Sequence, residues 1–443
     1  MHNQLARTPE SKQSITMPLF RRPVRTRWWI FAFTLAFPTL SYIQRLSVQD
    51  LAGTVMPALH LSQLQIAWLA TAFTTAYALA QLPGGIFCQQ VGVRWTLVVV
   101  GILGFIATLA FPLAPVILAG TALFGTLLLA QALLGVSQGP LFSAATAVVE
   151  SWLPVNRWAM GGGLQAAAMN FGGAVTPLLV AVLSGCFGWK GALLWIALPV
   201  ALLTVAWGWY ARDTPREHPA VTPEELAELG SGAAQSPRPP TVRRLLRLLT
   251  DGNVLLLTLA YLCMNYAYYL LSFWSYLYLV QVRHFSGIEG GLAGAVPWIG
   301  AALGAAAGGF ISDGLAARIG IRWGYRLVPL VTLPIAGLLL LVTLRVATPY
   351  AAVAALTAAF FMVEINEGAF GAAIMNVARA DVAAAWGVLN TGGNAGGIIA
   401  QPLVGFLTNG GMWRGAFITG TVFAFVAAGL WLWIDPARRA TLD

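Results

Sequence analysis

The sequence predicts an all-α membrane protein in which twelve transmembrane helices form two parallel halves of six. Three observations lead to this prediction: the apolar composition, the number of long apolar segments, and a repeat at about half the chain length. Of the 443 residues, 58% are hydrophobic and only 9% are charged, and the mean hydropathy is +0.74. This composition is typical of a multi-span membrane protein and argues against a large soluble domain.

Long apolar segments account for most of the chain. A helix needs about 20 apolar residues to cross the hydrocarbon core of a bilayer, and the sequence contains twelve such segments. Because that core offers no partners for backbone polar groups, each segment is expected to be a helix. The segments begin near Trp28, Leu64, Trp95, Val116, Met160, Gly191, Val254, Gly291, Tyr325, Tyr350, Val382 and Met412.

Two short sequences recur at one offset. Residues 170–173 read Asn-Phe-Gly-Gly and residues 394–397 read Asn-Ala-Gly-Gly, while Trp-Lys-Gly-Ala at 189–192 becomes Trp-Arg-Gly-Ala at 413–416. Both pairs lie 224 residues apart. A repeat of this length in an apolar chain predicts two parallel halves with a binding site between them.

A hydrophilic stretch separates the two halves. Within it, Thr222 followed by Pro223 predicts the start of a helix, because threonine is a good N-cap and proline suits the first helical position. A basic piece around Arg243, Arg244 and Arg247 is expected to lie on the membrane surface. The predicted domains are a cytoplasmic arm (1–27), a first six-helix bundle (28–210), a cytoplasmic linker (211–250), a second six-helix bundle (251–434) and a cytoplasmic tail (435–443).

The positions of the charges predict the orientation. With a cytoplasmic N-terminus, 20 of the 25 lysines and arginines lie on that side, four lie on the opposite side, and Arg45 lies within the first span. This bias predicts a multi-pass protein of the inner (plasma) membrane with both termini in the cytoplasm. The net charge of +9 is thus explained by topology and by attraction to anionic membrane lipid, and no nucleic acid is expected as a partner.

The turn after the second span carries a recognisable motif. Residues 84–94 read Gly-Gly-Ile-Phe-Cys-Gln-Gln-Val-Gly-Val-Arg, and this resembles the loop of the major facilitator superfamily, usually G-G-x-x-x-D-R-x-G-x-R. Residues 308–313, followed by Arg318 and Arg322, are its counterpart in the second half. Further segments resemble the anion:cation symporter branch, whose members carry sugar acids, aromatic carboxylates and related anions. These segments are 42–45, 77–85, 134–140 and 386–402.

The chain departs from that branch at charged positions. The branch usually has Asp-Arg in the first span, where this chain has Gln44 and Arg45. In the fourth span the branch usually has an arginine and, seven residues later, a glutamate, where this chain has Gln131 and Gln138. Glutamine cannot titrate, so proton coupling by the usual first-half route is not expected.

Arg45 is the only formal charge placed deep in the first half. An unpaired guanidinium inside a bundle costs at least a few kcal/mol, so it should face an anionic ligand, as the resemblance implies, or bind Asp50 or backbone carbonyls. The resemblance and the polar positions paired across the repeat extend the predicted substrate site to further residues. These are Tyr42, Gln44, Tyr77, Gln131, Gln138, Gln165, Asn265, Tyr269, Trp274, Asn390 and Asn394.

Two carboxylates interrupt the apolar tenth span. Glu364 and Glu367 are three residues apart and therefore share one helix face. Because burial disfavours a charged carboxylate, either one could take up a proton and replace the missing first-half acids. The alternatives are a salt bridge to Arg45, which would act as a gate, and a polar residue packed on neighbouring helices.

Charged residues near the cytoplasmic ends of the spans predict conformational latches rather than a substrate site, because such charges can cap a helix end in one state and release it in another. They are Asp313, Arg318 and Arg322 in the second half and Arg94, Glu150 and Arg157 in the first. No histidine, cysteine and carboxylate cluster has metal spacing, and the glycine-rich stretches lack the lysine of a phosphate loop. Neither a metal, nor another cofactor, nor ATP binding is therefore expected.

The predicted function is secondary transport of a small organic anion by alternating access. The anion could be a sugar acid, a dicarboxylate or an aromatic carboxylate, and protons could be the coupling ion. An uncoupled facilitator, an exporter and a transporter-like sensor without net transport stay open as alternatives. An enzyme is not expected, since no nucleophile and base are paired in the sequence, and a monomer is the expected state.

Overall fold

The computed structural model describes residues 26–153, 158–229, 249–378 and 382–438. These residues form α-helices joined by short turns, and a single short 3-10 helix occurs in the linker. Twelve spans are found in this part of the chain, and we number them in order. Spans 1 to 12 are Thr26–Asp50, Gln63–Val91, Val93–Ile117, Gly120–Trp152, 158–187, 189–210, Gly252–Gln281, Gly287–Ile319, Ile321–Arg345, Pro349–Val377, Val382–Asn409 and Trp413–Leu430.

The expected fold of twelve helices in two halves is confirmed. By length and composition, eight of the described helices could cross a membrane, and one of these contains both span 5 and span 6. Those two spans are separated only by Gly188, where the helix is broken by a φ of +68°. Glycine adopts this left-handed conformation without steric cost. These eight helices contain nine of the twelve spans. The remaining three are spans 1, 2 and 11, and they supply many of the polar side chains of the candidate site.

Two spans are interrupted near their middle. Span 4 consists of the helices Gly120–Gln138 and Leu141–Trp152, and Pro140 at the break has no N–H to continue the first helix. A Cβ atom on Gly84 of span 2 would lie 2.8 Å from the backbone nitrogen of Pro140. The break therefore lies where spans 2 and 4 approach closely. Span 10 is likewise divided into Pro349–Glu364 and Glu367–Val377.

We call the face on which span 1 begins the linker face and the face on which it ends the distal face. The two halves pack closely near the distal face. Gly291 of span 8 lies against Pro177, Leu178 and Ala181 of span 5, and Gln63 at the start of span 2 bonds Gln281 at the end of span 7, with 2.5 Å between the side-chain nitrogen and oxygen. Small residues permit this approach of the backbones.

Toward the linker face, two buried or half-buried arginines bond within their own halves. Arg94 donates to the Gly208 carbonyl within the first half, and Arg326 donates to the Ile434 carbonyl within the second. Most of the described hydrogen bonds and close glycine contacts that join the halves lie at the middle of the bundle or nearer the distal face, and the bond from Asn390 to Gln81 lies on the linker side of the middle. The described residues therefore show a conformation whose distal face is closed.

Part of the linker packs under the first half. The helix Pro223–Leu229 begins after Thr222, whose hydroxyl accepts from the Glu225 N–H at 3.2 Å, so the predicted helix start is confirmed. Arg27 at the start of span 1 donates to Glu228 at 2.9 Å. The basic piece around residues 243–247 lies outside the described residues.

Candidate functional site

Arg45 lies near the middle of the bundle, between the two halves. Only 6% of the residue is exposed, and its guanidinium carbon lies 5.0–5.6 Å from the centres of five aromatic rings. Aromatic faces attract cations, and they do so more strongly away from water. The rings belong to Tyr42, Phe73, Tyr77, Tyr269 and Phe273.

The hydrogen bonds of Arg45 leave donors unused. Its Nη2 donates to the Tyr269 hydroxyl at 3.0 Å, while its Nε is buried and has no partner. Tyr269 in turn donates to Asn394 Oδ1 at 2.8 Å. The guanidinium has five N–H groups, and it forms no salt bridge with the carboxylate of Asp50, Glu364 or Glu367 among the described ion pairs. Arg45 is thus a buried cation bonded to a neutral hydroxyl.

A cavity of about 40 Å³ lies beside Arg45 on its first-half side. This volume holds a few water molecules. Its polar lining residues come from spans 1, 2, 4 and 5, and its apolar lining residues come from spans 1, 4 and 5. The lining residues are Pro38, Ser41, Tyr42, Arg45, Tyr77, Gln138, Leu141, Phe142, Ala145, Gln165 and Met169.

Four predicted site residues besides Arg45 line this cavity: Tyr42, Tyr77, Gln138 and Gln165. Gln138 donates its Nε2 to the Ser41 carbonyl at 3.0 Å, and Gln165 donates to the Ala145 carbonyl at 2.7 Å. Each amide is therefore held in place by the backbone of another helix segment. This leaves its oxygen as an acceptor for a ligand.

Two other predicted residues of the first half lie away from the cavity. Gln44 points into its own half and donates to Thr108 Oγ1 at 2.8 Å and to the Gly104 carbonyl at 3.0 Å. Gln131 is 2% exposed on span 4 and is not among the residues that line the cavity. In this conformation both glutamines belong to the packing of the first half.

Several of the predicted residues of the second half lie along the boundary between the halves. Asn390 donates to Gln81 Oε1 of span 2 at 3.1 Å, and Asn394 donates to the Asn390 carbonyl. Trp274 donates to Gln401 at 2.9 Å, nearer the distal face. Asn265 donates to the carbonyl of Tyr261, one turn earlier on its own helix.

The two carboxylates of span 10 have different surroundings. Glu367 accepts from the Tyr261 hydroxyl at 3.1 Å and 3.2 Å. Glu364 is 6% exposed and interacts electrostatically with Tyr268. The Tyr268 hydroxyl lies 3.4 Å from that of Tyr42, so tyrosines stand between these carboxylates and the Arg45 region.

Of the residues predicted as conformational latches, several contact neighbours within their own half. Asp313 accepts from the Tyr325 hydroxyl at 3.2 Å, and Arg322 pairs with Asp435 at 3.5 Å. The backbone N–H of Arg94 donates to Asp213 at 2.8 Å. Arg318 is exposed and Glu150 is half-buried. Arg157 lies outside the described residues.

The sequence reasoning missed several residues around Arg45. Phe73 and Phe273 complete its ring of aromatic side chains, and Tyr268 lies next to Tyr42 and interacts electrostatically with Glu364. Helical spacing offers a signal for two of them, since Phe73 precedes Tyr77 by four residues and Phe273 follows Tyr269 by four. Residues four apart share a helix face.

Comparison with known proteins identifies the family. The sequence pattern of the Major Facilitator Superfamily matches residues 28–380. The chain belongs to this superfamily. Its members are transporters and not enzymes, as expected from the sequence, and the protein is accordingly a multi-pass membrane protein.

The relatives of this superfamily member include several bacterial transporters. The probable sulfoacetate transporter SauU of Cupriavidus necator is 26% identical over 394 residues, covering 87% of this chain and 88% of the relative. The hexuronate transporter of Bacillus subtilis is 26% identical over 406 residues, with 90% and 93% covered. The probable galactarate/D-glucarate transporter GudP of the same organism is 26% identical, with 94% and 93% covered.

The fold is also found among solved structures. A bacterial homolog of the human lysosomal transporter Spinster, in an inward-facing and occupied conformation, superimposes with a TM-score of 0.75. It shares 16% sequence identity, and the match covers 94% of this chain and 97% of that structure. At this identity the likeness establishes the fold alone.

Proposed function

We propose that this chain is a secondary transporter that carries a small organic anion across the plasma membrane by alternating access. The observation that carries the proposal is Arg45, a buried cation at the boundary between the halves, which lies beside a cavity of the first half and is bonded to a hydroxyl instead of a carboxylate. The named relatives that transport hexuronate, sulfoacetate and galactarate or glucarate support an anionic substrate.

The surroundings of Arg45 favour exchange with an incoming anion. Five aromatic faces partly offset the cost of burying the guanidinium, so the site stays folded while it is empty. A carboxylate can accept two parallel N–H bonds from one guanidinium, and such charged bonds are about twice as strong as neutral ones. The anion would therefore displace the single bond to Tyr269 and use the unpartnered Nε.

The charges around the cavity favour an anion with one negative charge. Arg45 is the charged residue that lines the cavity, and the other lining residues are neutral. A second carboxylate on the ligand would find no second cation among these lining residues, and burying a charge without a partner is unfavourable. We therefore expect a monocarboxylate such as a hexuronate or an aromatic acid to bind more tightly than a dicarboxylate.

The uncharged body of the ligand would meet both polar and apolar groups. The amide oxygens of Gln138 and Gln165 are free to accept from hydroxyl groups, since their nitrogens are bonded to backbone carbonyls. Leu141, Phe142 and Met169 offer apolar contact on the same wall. This arrangement suits a small acid whose ring has polar edges and apolar faces.

Alternating access requires the cavity to open to one side at a time. The distal face is closed in the described residues, and the excess of lysines and arginines on the linker face supports a cytoplasmic linker face and cytoplasmic termini. We propose that the protein acts as a monomer whose cavity opens to the cytoplasm in this state. Arg94, Glu150, Asp313, Arg318 and Arg322 are then the proposed latches that rearrange when the other face opens.

Coupling to protons depends on the second half in this proposal. Gln44, Gln131 and Gln138 cannot titrate, so Glu364 and Glu367 are the proposed proton carriers within the membrane. Because glutamines occupy the usual positions of the acids, uncoupled transport is the second candidate. Substrate-driven proton uptake into proteoliposomes would identify symport, whereas robust uptake without proton movement would identify the uncoupled carrier.

A binding screen tests the proposed function. The purified protein would be heated with a panel of glucuronate, phenylacetate, glucarate and succinate, and the increase in the unfolding temperature would be measured. We expect one or more monocarboxylates to stabilise the protein and the Arg45→Gln variant to lose that effect. Arg345→Gln removes the same charge at an exposed position at the end of span 9, so this control should retain it. Failure of every organic acid, or equal stabilisation of Arg45→Gln, would contradict the proposal.

A further inference from the structure

A second buried charge lies at the distal end of span 1. Asp50 is the last residue of this helix and is 8% exposed. Its Oδ2 atom is buried and has no hydrogen-bond partner. The residue before it, Gln49, lines a crevice with Phe273 and Trp274 of span 7, which belongs to the second half. Asp50 therefore lies where the two halves close against each other.

The groups around Asp50 do not neutralise it. Tyr276 of span 7 is the titratable residue that interacts with it electrostatically, and a neutral phenol carries no charge to pair with a carboxylate. Arg45, five residues earlier on span 1, is bonded to Tyr269 and surrounded by aromatic rings. None of the arginines or lysines in the described ranges forms a salt bridge with Asp50.

An ionised carboxylate in such a place is unfavourable, because its Oδ2 atom has lost water without gaining a cation or a hydrogen bond. Tyr276, which belongs to the second half, contributes to these surroundings, so the unfavourable burial depends on contact between the halves at the distal face. Tyr276 also contacts span 8, since a Cβ atom on Gly294 would lie 2.6 Å from its ring. Separation of the halves at the distal face would therefore part Tyr276 and Asp50 and admit water to the carboxylate.

We propose that Asp50 is a proton-binding site that must be occupied before the distal face can close. The closed state binds the proton more tightly than the open state, so acid on the distal side favours closure and alkali favours opening. This site is separate from the proposed anion site at Arg45. The first half has glutamines instead of acids at residues 44 and 138, and Asp50 would be its own titratable group.

The separation of spans 5 and 8 at the distal face reports this closure. Cys186 and Ser286 are exposed there, so nitroxide labels would be attached to Cys186 and to Ser286→Cys in a chain whose buried Cys88 and Cys263 are replaced by alanine. Distances between the labels would be measured by pulsed electron paramagnetic resonance in lipid nanodiscs between about pH 5 and pH 8. One linked proton changes the ratio of closed to open molecules by at most about tenfold per pH unit.

The variants decide the outcome. We expect the closed fraction of the unmodified site to fall as the pH rises, Asp50→Asn to stay closed at every pH, and Glu289→Gln to behave like the parent. Glu289 is a matched control because it is an exposed carboxylate at the distal end of span 8. A distance distribution that does not change with pH in the parent would overturn the proposal. Full pH dependence in Asp50→Asn would overturn it as well, because the titration would then belong to other groups such as Glu364 and Glu367.

Discussion

Closure of the distal face depends on the absence of a side chain at Gly291. In the Gly291→Ala variant, the new Cβ atom would lie 2.8 Å from the Leu178 Cα, 3.0 Å from the Ala181 Cβ and 3.0 Å from the Pro177 carbonyl oxygen. Ordinary contacts begin at 3.4 Å, so spans 5 and 8 would have to separate by several tenths of an ångström. Two of the three contacts are backbone atoms, which cannot rotate away.

Overpacking of this kind costs about 1–3 kcal/mol. The cost applies only to the state in which spans 5 and 8 touch at the distal face. Each 1.4 kcal/mol is a factor of ten in an equilibrium constant, so the ratio of closed to open molecules should fall about 5- to 150-fold. We expect anion uptake to slow accordingly, because each transport cycle must pass through the closed state.

The assay is the distance between labels at residues 186 and 286, measured for Gly291→Ala and for Gly309→Ala. Gly309 is a matched control on the same span, since nothing lies within 4 Å of the position that its Cβ would occupy. The thermal stability of both variants in detergent would show whether the fold is intact. A closed fraction that is equal in the two variants would refute the packing argument.

Two further predictions rest on the described contacts. Gln44→Leu should lower the free energy of unfolding by about 1 kcal/mol, because the hydrogen bonds of Gln44 to Gly104 and Thr108 are lost. The same change should leave the affinity for the anion unchanged. A large loss of affinity at unchanged thermal stability would place Gln44 in the binding site instead. Burial lowers the pKa of His218 in the linker from its ordinary value of 6.5, so the neutral form is favoured when the linker is docked. That stabilisation is present above pH 6.5 and is lost as the pH falls through the lowered pKa. Proteolysis of the 211–229 segment should therefore accelerate in acid in the parent chain and much less in His218→Gln. Equal rates of proteolysis at all pH values would count against this docking.

Much of the fold could be predicted because the bilayer limits the choices. Apolar segments of about 20 residues must be helices, and a repeat at half the chain length fixes the pairing of the halves. The start of the linker helix at Pro223 was also predictable, since it depends on local capping by Thr222. The breaks in spans 4 and 10 were not predicted from the sequence, although Pro140 offers a physical reason for the first.

The candidate site was less predictable because its geometry depends on contacts between helices. Gln44 and Arg45 are neighbours in sequence, yet Gln44 faces span 3 and Arg45 faces the boundary between the halves. Relatives of that family usually have a charged residue at position 44, and their resemblance does not predict the direction in which the neutral side chain of Gln44 points. Phe273, whose ring contacts Arg45, belongs to span 7 and lies more than 200 residues away in the sequence. The spacing of residues within span 1 therefore cannot reveal this contact.

The most direct test of the account is anion exchange in proteoliposomes. Vesicles loaded with the monocarboxylate that most stabilises the protein would take up the same radiolabelled acid, and initial rates would be compared for the parent, Arg45→Gln and Arg345→Gln. Removal of one partner of a buried charge pair costs about 2 kcal/mol or more, so we expect saturable exchange in the parent and in Arg345→Gln and at least about a 30-fold weaker affinity in Arg45→Gln. Saturable exchange of equal affinity in Arg45→Gln would contradict the claim that this guanidinium holds the anion.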